Sequence, residues 1–371
     1  SSGMARQLAG LLVKDRHASV RGAAAASMGD LEDPAVTGLL VELSQDADGE
    51  VRRLAAAALG AYPEERAVKT VVRMFGDPVR FVREDAEESA IRLNADISVL
   101  AATASALDRE NPDARVRAFN VLGRVDATAY HDRIVAALQA ATRAENIAAG
   151  LHALDALKSQ RLDLIASYAE HESPAVREAV ASAAGNISTP RSLDLVKTLI
   201  DDPEVAVGHA AIVSAGRLGD PFFASSLLKV LKDTGGDGHF SSRERAAACW
   251  AAGQLRPPKR RLSRRLVTQA TKPVIPTPLG PAFEPDYVLV SACWALVECA
   301  REDAAFLPDA ETVLEKHKTT PDPGKGGMST LYPSEELQEF ARQARAWLND
   351  EDITPGRRPT RSLRLLYRKT D

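Results

Sequence analysis

The sequence predicts an all-α fold, a right-handed α-solenoid of about nine stacked helical hairpins. Three observations carry this. One short pattern recurs along the 371 residues at intervals near 31. Alanine is abundant while aromatic residues make up only 5% of the chain, a balance suited to close helix packing and not to a sheet sandwich. Proline is concentrated late in the chain, which leaves long earlier stretches free to be helical.

The pattern is clearest in "SVRGAAAASMGDLEDP", "EVRRLAAAALGAYPEE", "AVREAVASAAGNISTP" and "EVAVGHAAIVSAGRLGDP". An apolar residue opens a small-residue helix, in three of these four with Arg next. A glycine follows nine positions later: Val20 to Gly29, Val51 to Gly60, Val176 to Gly185, Val207 to Gly216. That glycine is expected to stop the helix. Looser copies begin at Val82, Ala114, Ile147, Glu244 and Val288, so successive spacings are 31, 31, 32, 33, 29, 31, 37 and 44. An apolar helix such as "AVTGLLVELSQD" or "SLDLVKTLIDD" precedes each core, separated by a turn carrying Asp or Pro. One such unit cannot bury its apolar face alone, whereas stacked units share a continuous core.

The "VRxxAAxxLG" core with an Asp just before it resembles the HEAT repeats, in particular the short bacterial type first named from phycobilisome lyases. The likeness extends over about residues 4 to 310. It implies a solenoid in which Arg21, Arg52, Arg83 and Arg177 pair with turn acids such as Asp15, Asp46 and Asp77 as a structural ladder. Ala148 and Gly208 stand where two further arginines would be, so the ladder is expected to break there.

The two enlarged spacings mark departures from the repeat. The larger one holds "RPPKRRLSRRLVTQATKPVIPTPLGPAFEP", Arg256 to Pro285, with seven of the 21 prolines. Cys249 and Trp250 before it align with Cys293 and Trp294 after it, so it reads as an insertion, expected to be exposed and irregular. The organisation is then repeats over 4–255, a basic proline-rich insertion over 256–286, a final repeat with a capping helix over 287–350, and a basic tail over 351–371. The capping helix is expected in "SEELQEFARQARAWLND", where Leu337, Phe340, Ala341, Ala344, Trp347 and Leu348 share one face.

Charge follows this division. The chain carries a formal −4, yet residues 256–272 hold +7 and residues 353–371 hold +5, leaving −16 on the remainder. Either the basic segments lie back on the acidic body, or they offer a surface to an acidic partner. The candidate binding residues are Arg256, Lys259, Arg260, Arg261, Arg264, Arg265, Arg357 and Arg358. An acidic body would repel phosphate and the basic stretches have few aromatics, so a protein partner is expected and nucleic acid is not.

Signatures of chemistry are sparse. "GKGGMST" has Gly after its lysine and no preceding strand, which removes a phosphate-loop reading. No GxSxG or HExxH occurs, and His171-Glu172 reads as a solvated turn. Cys249, Cys293 and Cys299 lack CxxC spacing and sit in apolar helices, as buried reduced thiols do. The smaller enlarged spacing holds "DTGGDGHFSSRE". It can be laid on a calcium loop with Asp233 first, Asp237 fifth, a carbonyl from His239, Ser241 through water and Glu244 bidentate. Gly235 stands where that loop needs an acid, and the same letters fit a glycine-rich turn capped by Ser241 or Ser242.

The function these features support is a non-catalytic scaffold that binds a protein partner, with no cofactor beyond that possible Ca2+. The runner-up, taken from the resemblance, is a repeat-type enzyme such as a bilin lyase. No run of about 18 apolar residues and no signal segment is visible, so no membrane span is expected and the cytoplasm is the default compartment. "SSG" before Met4 reads as an expression remnant, which leaves room for a trimmed segment upstream.

Overall fold

The computed structural model describes residues 2–31, 33–93, 97–125, 127–233, 240–271, 274–277, 280–283 and 286–316. The expected capping helix over 334–350 and the tail, with Arg357 and Arg358, lie outside the described residues, as do Asp237 and His239. The chain forms two compact units, one running to Arg161 and taking in His171–Ala183, the other holding Leu162–Glu170 and everything from Ala184.

The first unit contains α1 (Ser2–Leu12), α2 (Ala18–Gly29), α3 (Thr37–Leu43), α4 (Gly49–Leu59), α5 (Glu65–Met74), α6 (Arg80–Arg92), α7 (Ile97–Ala106), α8 (Pro112–Arg124), α9 (His131–Gln139) and α10 (Ala144–Ala156). In the second unit lie α11 (Leu162–Ala166), α13 (Pro190–Leu199), α14 (Val205–Leu218), α15 (Ala224–Lys232), α16 (Ser242–Gln254), α17 (Arg260–Thr271), α18 (Asp286–Glu302) and α19 (Leu307–Lys316). Helix α12 (Pro174–Ala184) falls with the first unit up to Ala183. Each of the nine repeat starts read from the sequence lies in an even-numbered helix, and eight of these helices, all but α12, pack on the odd-numbered helix before them.

Each unit is an α-solenoid with two helix layers. Even-numbered helices pack on even-numbered ones (α2 on α4, α4 on α6, α8 on α10, α14 on α16, α16 on α18), and odd-numbered helices pack likewise (α3 on α5, α5 on α7, α15 on α17). Larger side chains fill the space between layers: Leu40, Leu43, Leu59, Phe75, Phe119, Leu122, Ile134 and Leu138 in the first unit, Phe223, Leu227 and Leu266 in the second. Local sequence fixes where helices begin. Asp48 accepts from the amides of Glu50 and Val51, and Asn111 caps Asp113 and Ala114 ahead of Pro112. Thr189 with Ser192, and Ser241 with Glu244, form reciprocal capping boxes.

Three of the repeat glycines stand at helix ends as expected, with α2 ending at Gly29, Gly60 capping α4 and Gly185 directly after α12, while Gly216 and Gly253 lie inside α14 and α16. None of these five takes the left-handed backbone of a glycine stop. What they supply is the lack of a Cβ where the next even-numbered helix lies against them. A Cβ on Gly123 would stand 3.1 Å from Ala153 Cα, one on Gly185 2.5 Å from Ser214 Cβ, and one on Gly253 2.7 Å from Ala295 Cα. On Gly216 it would collide with the Trp250 ring, and Trp294 covers Gly253 in the same way, which is the shared role of the two aligned Cys-Trp pairs. The true left-handed stop of α14 is Gly219, at φ 64°.

The arginine ladder is present. Arg21 forks onto Asp46 (Nε to Oδ2 2.6 Å, Nη2 to Oδ1 2.7 Å) and donates from Nη1 to the carbonyl of Asp15 at 2.9 Å. Arg52 repeats this on Asp77 (2.8 and 3.1 Å) and on the carbonyl of Asp46 (2.8 Å). So each arginine ties its own turn to the next one. Arg83 keeps the first half through the carbonyl of Asp77 but reaches only Asp113, at 3.6 Å, because Asp108 is taken by Arg133. Arg177 donates to the carbonyls of His171 and Glu172, which places that His-Glu pair in a structural turn. A second set of pairs crosses the even-numbered helices: Arg53 with Asp85, Arg117 with Glu87, Arg124 with Glu88.

The segment expected to be irregular is largely ordered in regular elements. Residues 260–271 are α17, the first helix of the ninth pair, packed on α15, α18 and α19 with Leu262, Ser263, Leu266, Gln269 and Ala270 buried. Leucines at i and i+4 with Gln269 and Ala270 at i+7 and i+8 make one inward stripe, and all the prolines fall outside the helix, Pro257 and Pro258 before it and the other five after it. Beyond it, β1 (Val274–Thr277) and β2 (Gly280–Phe283) form an antiparallel ribbon in which Thr277 faces Gly280 and Pro276 faces Pro281. The expectation of no sheet is corrected to this extent. A two-strand ribbon consists of edges, so each proline can turn its missing donor outward.

Candidate functional site

Helix α17 divides the basic residues singled out in the sequence into two sets. Arg256, in the turn before it, donates to the carbonyls of Gly253 (2.7 Å) and Leu255 (3.1 Å) and pairs with Glu298 (3.4 Å) and Glu302 (3.1 Å) of α18. Arg260 donates to the carbonyl of Ala305 (2.9 Å), pairs with Asp309 (3.4 Å) and lies over the Phe306 ring at 5.3 Å. Arg265 donates from Nε to the carbonyl of Leu231, at the end of α15 (2.7 Å). These three clamp α17 to its neighbours through charge-assisted hydrogen bonds. The buried Ser263 hydroxyl adds a donor to Asp309.

The other set is not used this way. Arg261 and Arg264 are exposed, Lys259 is half-buried, and among the described residues none of the three makes a side-chain hydrogen bond or ion pair. Arg261 and Arg264 are three residues apart, so they share the outward face of α17, opposite Leu262 and Leu266. Exposed Lys232 ends α15 one residue beyond the carbonyl that holds Arg265. On the far flank the charge reverses, with Glu302, Asp303 and Glu311 exposed.

The start of α16 is held by a cap. Glu244 is 2% exposed. Its Oε2 accepts from the Ser241 amide at 2.7 Å while Ser241 Oγ accepts from the Glu244 amide at 3.3 Å, and the other oxygen lies over Gly208, where a Cβ would come within 2.7 Å. The broken ladder is thus filled at Gly208 by a carboxylate from the next repeat. Arg245 beside it donates to the carbonyl of Phe240 at 2.9 Å, keeping the own-turn half of a rung. Asp233 accepts from the Phe240 amide at 3.1 Å. These contacts form the Ser241 cap expected of the turn, while Asp237 and His239 of the alternative calcium loop lie outside the described residues. Among the described residues no three His, Cys, Asp or Glu side chains group as metal ligands would.

The three cysteines are buried and not joined by a disulfide. Burial pushes the Cys293 thiol up to about 12, and Cys299 likewise to about 12 despite the nearby Arg256 guanidinium. Burial, and then Arg243, lower His209 from its usual value. Sequence reasoning missed the division of the basic residues. The period-four apolar stripe of α17 was the signal that could have found it.

The family described as HEAT repeats matches residues 5–91 and 161–238. No match is found among curated protein sequences. Among solved structures the chain is similar to YibA of Escherichia coli, with TM-score 0.50 and 18% identity, over 76% of this chain and 98% of that one. It is also similar to yeast importin-beta (Kap95p), alone and in a Kap95:Nup1 complex, with TM-score 0.61 and 12% identity in each case. That alignment covers 93% of this chain and 57% of importin-beta. At these identities the likeness is one of fold.

Proposed function

Given that this chain is a HEAT-repeat protein, we propose that it is a non-catalytic scaffold whose task is to hold a protein partner. The observation that carries the reading is the division of charge on α17. The charged groups that hold the repeats together are already paired, in the ladder and across the even-numbered helices, while Arg261 and Arg264 are left to solvent. Solvated cations do little for stability but set association rate and partner choice. The fold suits the task, because stacked repeats present long surfaces that grow with each unit. One of the fold neighbours is seen with the protein Nup1, and the present reading leans on this chain's own residues and not on that pairing.

Among the described residues no helix is long and apolar enough to cross a membrane. The test is affinity capture from cells of the source organism with the full chain, followed by reconstitution from purified components. One protein that binds stoichiometrically is the expected result. A preparation that binds no protein but turns over a bilin would replace the scaffold with the lyase-type reading.

A further inference from the structure

We infer that the outward face of α17, formed by Arg261 and Arg264, with Lys259 in the turn before the helix and Lys232 of α15 beside it, is the docking site for an acidic peptide segment of the partner. The inference rests on the scaffold reading and names where contact is made and with what chemistry. The apolar stripe of α17 and the clamps from Arg256, Arg260 and Arg265 fix the helix on both sides, so its free guanidinium groups project from a rigid support. Binding there costs little ordering beyond the side chains themselves.

Size and charge then select the ligand. Helical rise is about 1.5 Å per residue, so the backbone from Lys259 to Arg264 advances only about 7 to 8 Å. An extended peptide advances about 3.3 Å per residue, so carboxylates on two or three neighbouring residues span the same distance. Guanidinium groups fork onto carboxylates with two parallel hydrogen bonds, a match that lysine alone does not offer. A nucleic acid fits less well. It carries charge along its whole length, and past this short patch it would run onto exposed Glu302, Asp303 and Glu311. The rings of Phe306 under Arg260 and Phe240 under Lys229 are buried and offer bases no stacking surface.

The experiment measures binding of a fluorescein-labelled octaglutamate peptide to the full chain at low salt, about 0.05 M, and at about 0.5 M, where the screening length is only a few ångströms. Three variants accompany wild type. They are Arg261→Glu with Arg264→Glu, Arg261→Lys with Arg264→Lys, and Arg80→Glu with Arg143→Glu, which makes the same net charge change at exposed positions of the first unit. The expected result is saturable binding that high salt abolishes. It should be weakened about tenfold by the α17 reversal, about threefold by the lysine pair, and less than twofold by the distant reversal. Unchanged melting of each variant shows that the fold is intact.

Equal losses from both reversals, absence of binding at low salt, or tighter binding of an eight-nucleotide oligothymidine through the same arginines would each overturn the inference. The source-cell capture repeated with the α17 reversal separates the two levels. A partner held equally well by wild type and reversal ends the inference and leaves the scaffold standing. If wild type captures no protein, the scaffold reading falls.

Discussion

Replacing Gly253 by alanine sets two readings of the repeat glycine against each other. Gly253 lies inside α16, so helix propensity alone makes Gly253→Ala stabilising by about 0.8 to 1 kcal/mol. The added Cβ would stand 2.7 Å from Ala295 Cα and 3.0 Å from Ala295 Cβ, and the first of these is backbone that no rotamer change can move. Overpacking of this kind costs about 1 to 3 kcal/mol, so the net expectation is a loss of up to about 2 kcal/mol. For a folding unit of roughly 150 to 250 residues that lowers Tm by up to about 8 °C. Gly10 in α1 has nothing within 4 Å of the same position, so Gly10→Ala should leave Tm level or raise it and slow amide exchange in α1. Thermal unfolding followed by circular dichroism, with exchange read by mass spectrometry, measures both. Ala295→Gly added to Gly253→Ala should recover part of the loss, because it relieves the clash with the Ala295 methyl and leaves the clash with the backbone. A rise in Tm for Gly253→Ala would refute the packing account.

Three further outcomes follow from the contacts. The hydrogen bond from Arg21 holds the Asp46 carboxyl below its usual range, so its contribution is complete above the ordinary aspartate value of about 3.9 and is lost as pH falls through the lower folded value. Asp46→Asn should therefore be less stable than wild type in urea titrations at pH 7, and the difference should vanish in strong acid; a difference that grows as pH falls would contradict the rung. Glu244→Ala removes a capping box and should cost about 1 to 2 kcal/mol, and with the carboxylate committed to Ser241, calcium from about 0.1 to 5 mM should not shift melting. A calcium-dependent shift that Glu244→Gln abolishes would favour the metal loop over the capped turn. With thiols raised to about 12, Cys293 and Cys299 should resist iodoacetamide at pH 8 in the folded protein and react on unfolding.

The repeats were legible because their positions obey a strong local rule. Val51, Val82, Val176 and Val207 are all buried, and the Arg that follows three of them is placed by a turn six residues back. What remained hidden depends on pairs distant in sequence. A glycine before a turn looks like a stop, and only the next helix shows that its hydrogen is the point. Glu244 occupies a position that is apolar in other repeats, and its burial becomes understandable only with Gly208 beneath it. Prolines concealed α17, since they were weighed over the whole segment although they stand outside its helix. The sequence shows seven cations over 256–272 without showing which are clamped, because Glu298, Glu302 and Asp309 lie tens of residues away.

The central claim, that this chain is a binding scaffold with α17 as a contact surface, meets its most direct test in site-specific photo-crosslinking. Benzoylphenylalanine at Thr268 sits on the face of Arg261 and Arg264 and leaves both cations in place, while the same group at exposed Lys69 in α5 serves as the reference. Irradiation in cells of the source organism should give one protein adduct from position 268, joined through a peptide rich in Asp and Glu, and none from position 69. The account is contradicted if the two positions give the same adducts, or if position 268 gives none while the chain is folded and abundant.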